Sequence, residues 1–426
     1  MPNARRLSSG CSRFSRTLGS KVSMSETWIE TRLGEVADTL LGKTLPKGSG
    51  KDVDGFPYLR NVNVQWHRIT STGLNTMSFN EAEQDKYRLC AGDILLCEGG
   101  EVGRLALVRD DLDGIYFQNA LHRVRLRADA PASPDFIALG LENVVRRGHL
   151  DTLVTKTTIA HLNQAKLRSL AITLPPLSTQ ERIVEVIVAV DDQITALDAE
   201  AEALHVVLRR LRTGLVNDQG APAVRADEAF EITMGRQRAP KYATGPYMTP
   251  YLRSANVGYG TLDLTDVLEM NFDPKEREVF GLVPGDVLVS EGSASQSAVG
   301  MPAMWRGELP EPICFQKTLM RYRAVEGVSV PAFVNHWCLW AYESGTFLDI
   351  SGGTNIKHIT AMRAVQMPVR LPDVADQERI AAELDAMSEV VSGTRAEAHR
   401  LRSVRAGLLA GLLDRTIEIE FAELEV

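Results

Sequence analysis

One pattern occurs twice in this chain of 426 residues, and the duplication limits the possible folds more than any other feature. Tyr58-Leu59-Arg60-Asn61-Val62-Asn63-Val64 returns as Tyr251-Leu252-Arg253-Ser254-Ala255-Asn256-Val257, shifted by 193. Gly92-Asp93-Ile94-Leu95 returns as Gly285-Asp286-Val287-Leu288 at the same shift, and Phe117-Gln118 returns as Phe315-Gln316 at 198. Leu174-Pro175 with Gln180-Glu181-Arg182-Ile183 returns as Leu371-Pro372 with Gln377-Glu378-Arg379-Ile380 at 197. Four matches in one order at nearly one spacing describe two copies of a single plan. Each copy reads as short strand-like runs punctuated by Gly, Asn and Pro, then a helical stretch (134–147 or 331–344), a Leu-Pro boundary and a long polar helix.

The two long helices carry a heptad seam. Apolar or small residues fall at Ile183, Ile187, Val190, Ile194, Leu197, Ala201, Leu204, Leu208, Leu211 and Leu215, in alternating steps of four and three. The second copy runs Ile380, Leu384, Met387, Val391, Thr394, Ala398 and Leu401, then Leu408 and Leu412. Arg405 interrupts it, and the neighbouring Val404 offers a substitute. A helix of about 39 residues is roughly 58 Å long, and one narrow apolar stripe on it needs a partner. The nearest partner is the other copy. The expected fold is therefore α+β: two similar globular domains separated by two long helices that pair as an antiparallel coiled coil.

Composition narrows the class of function. Five cysteines (Cys11, Cys90, Cys97, Cys314, Cys338) show no CxxC pair and no zinc spacing, so they read as buried free thiols in a reducing, cytoplasmic compartment. No apolar run is long enough to span a membrane. The Arg- and Ser-rich stretch 1–27 is expected to be a disordered extension, with Met24 as an alternative start. The formal net charge of −8 argues against a strongly basic nucleic-acid binder.

Catalytic motifs are missing or fail the duplication test. Leu41-Gly42-Lys43-Thr44 resembles the end of a phosphate-binding loop, but Ala37 stands where that motif requires glycine. The second copy has Met234-Gly235-Arg236-Gln237 there, so the shared glycine and basic residue read as a turn or a loop near phosphate. Asp273-Pro274-Lys275 has a nuclease-like spacing that the first copy, Asn80-Glu81-Ala82, lacks. No triad, carboxylate dyad or metal-ligating cluster emerges, and a non-catalytic chain is expected, with no cofactor or metal of its own.

The run Leu174-Pro175-Pro176-Leu177-Ser178-Thr179-Gln180-Glu181-Arg182-Ile183, its copy at 371–380, and the repeated Tyr-Leu-Arg-x-x-Asn-Val and Gly-Asp-Ile/Val-Leu segments resemble the specificity subunit of type I restriction–modification enzymes. The resemblance covers about 28–413 in the family's order. It implies two target-recognition domains (28–173 and 221–370), each reading half of a split DNA target. It also implies a central spacer helix (174–220), a C-terminal spacer helix (371–417) and an acidic tail (418–426). Two methyltransferase (modification) subunits would dock on the helices around Gln180, Arg182, Ile183, Gln377, Arg379 and Ile380, with motor/nuclease (restriction) subunits joining. S-adenosylmethionine, ATP and magnesium would belong to those partners. The alternatives are a coiled-coil adaptor whose modules bind protein, and a self-sufficient modification enzyme with degenerate motifs.

Reading double-stranded DNA needs bidentate side chains for bases and basic or hydroxyl groups for phosphates. Candidates in the first copy are Lys43, Arg60, Asn63, Gln65, Trp66, His67 and Gln118. In the second they are Arg236, Gln237, Arg238, Arg253, Asn256, Tyr259, Gln316 and Lys317. Positions shared by both copies read as structural or backbone contacts, with a turn-forming role equally open to Asn63 and Asn256. Unshared ones, Gln65-Trp66-His67 against Gly258-Tyr259-Gly260, are the specificity candidates. By segment the net charge is 0 over 28–173 and −2 over 221–370, with −10 on the two helices and the tail. Near-neutral readers predict weak DNA binding alone, with much of the phosphate grip left to partner subunits.

Overall fold

The computed structural model describes residues 27–45, 55–110, 112–148, 155–156, 160–293, 295–353 and 357–418. Nearly all of the expected extension over 1–27 and of the acidic tail over 418–426 lies outside the described residues. The chain forms two compact units, one of Met1–Asp192 with Arg402–Val426 and one of Gln193–Leu401.

The first unit is built on a four-stranded antiparallel sheet in the order Ala37–Leu41, Leu121–Leu126, Ile94–Cys97, Leu105–Leu107. A second sheet places Phe56–Leu59 between Asn75–Met77 (antiparallel) and Tyr116–Phe117 (parallel). The module helix Pro134–Arg146 starts on a Ser133 cap with Pro at its first turn, and buries Phe136, Ile137 and Leu141. The second unit repeats this: Phe230–Met234, Leu319–Ala324, Val287–Ser290, Pro302–Met304, then Leu268–Asn271, Met248–Leu252, Cys314–Phe315, and module helix Pro331–Glu343. Leu121 faces Cys97 as Leu319 faces Ser290.

The shared motifs account for this sameness. Gly92 and Gly285 have φ of 89° and 100°, where a side chain is strained, and turn the chain into a central strand. Each is followed by a buried aspartate. Asp93 is held bidentately by Arg125 at 2.6 Å from both Nε and Nη2, and Asp286 by Arg323 at 2.6 and 2.7 Å. Both fix a neighbouring strand while accepting a backbone N–H at 2.8 Å, from Cys90 and Val283.

Each long helix, Leu177–Val216 and Val374–Leu413, has 40 residues. Every expected seam position is buried or half-buried. In the first unit Ile183 and Ile187, near the start of one helix, share a core with Leu409 and Leu412, near the end of the other. In the second unit Leu208 and Val216 share a core with Ile380, Leu384 and Val391. Within each unit the helices therefore run antiparallel. Arg405 itself occupies the seam, 5% exposed, while Val404 points outward at 57%, so the expected substitution of Val404 is corrected. Among the described residues no helix is long and apolar enough to cross a membrane, and no group of His, Cys, Asp and Glu could hold a metal ion.

Candidate nucleic-acid interface

At the end of the first strand of each four-stranded sheet, the chain crosses the segment that carries the shared Phe-Gln pair. Lys43 bridges Gln118 and Arg236 bridges Gln316, both in parallel sense. The crossing is so close that a Cβ on Gly42 or Gly235 would overlap the carbonyl of Gln118 or Gln316. The glycine of the phosphate-loop look-alike is explained by this backbone approach. Its basic neighbour is engaged as well. Lys43 Nζ donates to Glu83 Oε2 at 2.6 Å and to the Ser78 carbonyl, 4.9 Å from the Phe79 ring centroid. Arg236 pairs with Glu276 at 2.6 Å and stacks on Tyr242 and Phe272. Lys43 and Arg236 therefore each form an internal ion pair over an aromatic ring.

Of the other shared candidates, Asn63, Asn256 and Arg253 are also engaged internally. Asn63 Oδ1 accepts from the Arg60 N–H at 3.0 Å, and Asn256 Oδ1 from the Arg253 N–H at 3.0 Å, each closing a 3-10 turn. These are the turn-forming roles left open by the sequence. Arg253 reaches Asp266 at 2.6 Å; Arg60 is half-buried, and Gln118 and Gln316 sit at the bridges.

The unshared candidates sit at the tips of two matching hairpins. Gln65, Trp66 and His67 form the tip of the hairpin Val64–Gln65/Arg68–Ile69. Gln65 Nε2 donates back to Val62 O at 3.0 Å, and Trp66 Nε1 donates to Glu101 Oε1 at 2.7 Å under the Arg146 guanidinium. His67 has φ of 59° and its Nε2 lies 3.3 Å from Glu142 Oε2. Tyr259, at the matching hairpin Val257–Gly258/Thr261–Leu262, hydrogen-bonds to Glu343. The tips thus pack against the module helices, with His67 still exposed to solvent.

Glu142 is fully buried yet charged. Arg405 clamps it bidentately at 2.9 and 3.1 Å, Arg146 Nε lies at 2.6 Å, and Arg405 also reaches Asp191. Burial alone would raise the Glu142 carboxyl, but hydrogen bonding and charge from His67 and Arg405 outweigh it and hold the carboxyl at about 2. A carboxyl lowered from 4.5 contributes stability that is complete above pH 4.5 and is lost as pH falls toward about 2. The difference is worth on the order of 3 kcal/mol. We expect the urea midpoint of the first unit to fall across that range in the native chain and much less in Glu142→Gln. Equal slopes in the two proteins would refute the assignment.

What stays exposed follows each crossing. In the second unit Gln237, Arg238 and Lys317 face solvent, and Lys317 N–H donates to Arg236 O at 2.8 Å. The corresponding residues of the first are exposed Thr44 and Leu45 and half-buried Asn119, whose N–H donates to Lys43 O at 3.0 Å. One backbone scaffold thus displays two different sets of side chains.

On the helices, Gln180 is fully buried: Oε1 accepts from Ser133 N–H, and Nε2 donates to Pro131 O and Pro175 O, at 2.8–2.9 Å. Gln377 makes the same three bonds, with Val330, Val328 and Pro372, at 2.8–3.1 Å. Each ties the helix start to the cap of its module helix. Ile183 and Ile380 are core residues. Gln180, Ile183, Gln377 and Ile380 are thereby corrected as docking contacts, whereas Arg182 and Arg379 remain exposed.

Residues 25–204 match the family model described as the type I restriction modification DNA specificity domain. The StySPI type I restriction enzyme specificity subunit of Salmonella potsdam is 27% identical over 192 residues, 44% of this chain but only 40% of that protein's length. The putative MjaX specificity subunit of Methanocaldococcus jannaschii is 20% identical over 421 residues, 93% of this chain and 95% of that one. A solved structure described as the structural basis of complex assembly and conformational transition of the type I R-M system superposes with a TM-score of 0.60 at 17% identity. It covers 91% of this chain and 97% of that one, and it establishes likeness of fold.

Proposed function

We propose that this chain, whose residues 25–204 match the type I restriction modification DNA specificity domain, is the non-catalytic, sequence-reading subunit of such a complex. One module, within 28–173, reads one half of a split DNA target, and the other, within 221–370, reads the second half. The observation that carries this reading is the paired scaffold: identical bridges at Lys43–Gln118 and Arg236–Gln316 present Thr44, Leu45 and Asn119 in one unit and Gln237, Arg238 and Lys317 in the other. Two different half-sites call for one docking geometry with different exposed side chains. Gln237 suits a bidentate contact to adenine, Arg238 one to guanine, and Lys317 a phosphate.

The paired helices, with Arg182 and Arg379 on their exposed faces, dock two modification subunits, and restriction subunits complete the assembly. S-adenosylmethionine, ATP and magnesium sit on those partners. The modules' net charges of 0 and −2 fit a subunit that supplies the address while the complex supplies most of the affinity.

The test is exchange of residues 28–173 for the matching segment of a related subunit, followed by methylome sequencing of cells expressing the full complex. One half of the methylated sequence should change while the other half and the spacer persist. A change in both halves overturns the two-reader model. Methylation without sequence preference would instead favour an adaptor that binds protein.

A further inference from the structure

Both units contain the same three-part joint built from different residues, and no part of it is among the exposed readers. In the first unit a hairpin-tip residue (His67), a buried module-helix carboxylate (Glu142) and a buried long-helix guanidinium (Arg405) meet, at 3.3 Å and at 2.9–3.1 Å. In the second, Tyr259 at the hairpin tip, Glu343 on the module helix and Arg212 on the long helix meet. Tyr259 and Arg212 both donate to Glu343 Oε1. Arg209 adds a bond to the Glu343 carbonyl at 3.0 Å. Arg212 is 2% exposed and Arg405 5%.

The joints are not copies of one another in sequence. At the shift of 197 that relates the helices, Glu142 corresponds to Leu339 and Arg405 to Leu208. Glu343 and Arg212 each lie four residues, one helical turn, beyond the pseudo-equivalent sites. Both partners have moved together, so the pairing is kept although its residues are not. The tip backbone is pinned alike: His67 N–H donates to Leu105 O at 3.1 Å, and Gly260 N–H to Pro302 O at 2.9 Å. His67 is also held in the left-handed region, at φ of 59°, a cost that the surrounding contacts offset.

We propose that each joint is a positioning clamp that fixes its module's orientation on the long helices and so restricts the complex to one spacer length between half-sites. This rests on the two-reader function proposed above. A buried charge pair has one low-energy geometry, because any displacement leaves a desolvated carboxylate or guanidinium unpaired. A module that swings on its helices can accept a half-site moved by one base pair, about 3.4 Å along the duplex. A clamped one cannot. Glu142, Arg405, Glu343, Arg212, His67 and Tyr259 are positioning residues and touch no base.

The test uses the complete complex with its modification subunits and measures methyl transfer to duplexes carrying the native spacer or one base pair more or less. Tyr259→Phe removes only the hydroxyl that binds Glu343, and Glu142→Gln removes the charge at the other joint while keeping its shape. For each variant the ratio of transfer on altered to native spacers should rise by about tenfold, since misplacements near 1 Å cost up to about 100-fold at the correct site. A ratio equal to wild type, with or without a proportional loss on every spacer, makes the joints merely structural and overturns the clamp. The underlying reading fails separately, in the wild type, if its methyl transfer ignores the split target.

Discussion

Arg405→Ala is expected to destabilise the first unit by about 3 kcal/mol, because it removes the bidentate partner of the buried Glu142 carboxylate together with the bond to Asp191. Glu142 has no exposed surface, and Arg146 and His67 approach it only from the module side. The double variant Arg405→Met/Glu142→Leu should recover most of that loss. Replacing a buried ion pair by apolar residues of similar size is often near neutral, since the desolvation cost vanishes with the charges. The two changes are thus strongly non-additive, with a coupling of about 2 kcal/mol or more. Hydrogen exchange of 134–146 and 402–413 in the full chain is the suitable measure, because two units need not unfold as one. A double variant as unstable as Arg405→Ala would remove the ion pair as the cause.

Arg405 also shows what could be read from the sequence. The seam was legible because a heptad repeat of apolar residues has one physical meaning, and every position of it is buried or half-buried. The interruption was visible too, but charge at a seam position reads first as a defect. Its meaning depends on Glu142, 263 residues away, directly after Phe136-Ile137-Ala138-Leu139-Gly140-Leu141 in an otherwise apolar stretch. A lone acid within such a run and a lone base within a seam were the available signal. Arg212 gave less warning, since it lies beside Leu211 in a stretch rich in arginine.

The duplication predicted two like modules, and it separated shared from unshared residues correctly for Asn63 and Asn256, which close turns in both copies. It said less about the hairpin tips. Trp66, His67 and Tyr259 differ between copies, and each makes an internal contact that its counterpart does not share, which variation between copies alone could not announce. Hydrogen-bonding side chains in turn-rich loops look alike in sequence whether they face DNA or their own fold, and only the three-dimensional neighbours separate Lys43, paired with Glu83, from Lys317, which faces solvent. Gln180 and Gln377 failed for the same reason. They sit in a family-like motif, and both are sealed inside their units.

Gly235→Ala should disable the second half-site specifically. The added Cβ would overlap the Gln316 carbonyl, a backbone group that cannot rotate away, and would crowd the Phe315 ring. Relief requires the two strands to part at bonds now formed from Gly235 N–H to Leu319 O at 3.0 Å, Arg236 N–H to Phe315 O at 3.2 Å and Lys317 N–H to Arg236 O at 2.8 Å. Overpacking together with weakened backbone bonds costs about 3 kcal/mol or more. Gln237, Arg238 and Lys317 hang directly from this crossing, so their displacement should lower methyl transfer to the cognate target by about 100-fold. Gly42→Ala should do the same for the first half-site, through Gln118. The control is Gly260→Ala: φ there is 65°, but open space surrounds the Cβ position, and the first unit carries His67 at the matching tip. That substitution should cost only about 1–2 kcal/mol, the ordinary penalty of a left-handed side chain. Equal losses for Gly235→Ala and Gly260→Ala would show that backbone strain governs both sites and would withdraw the close crossing as the reason for the shared glycine.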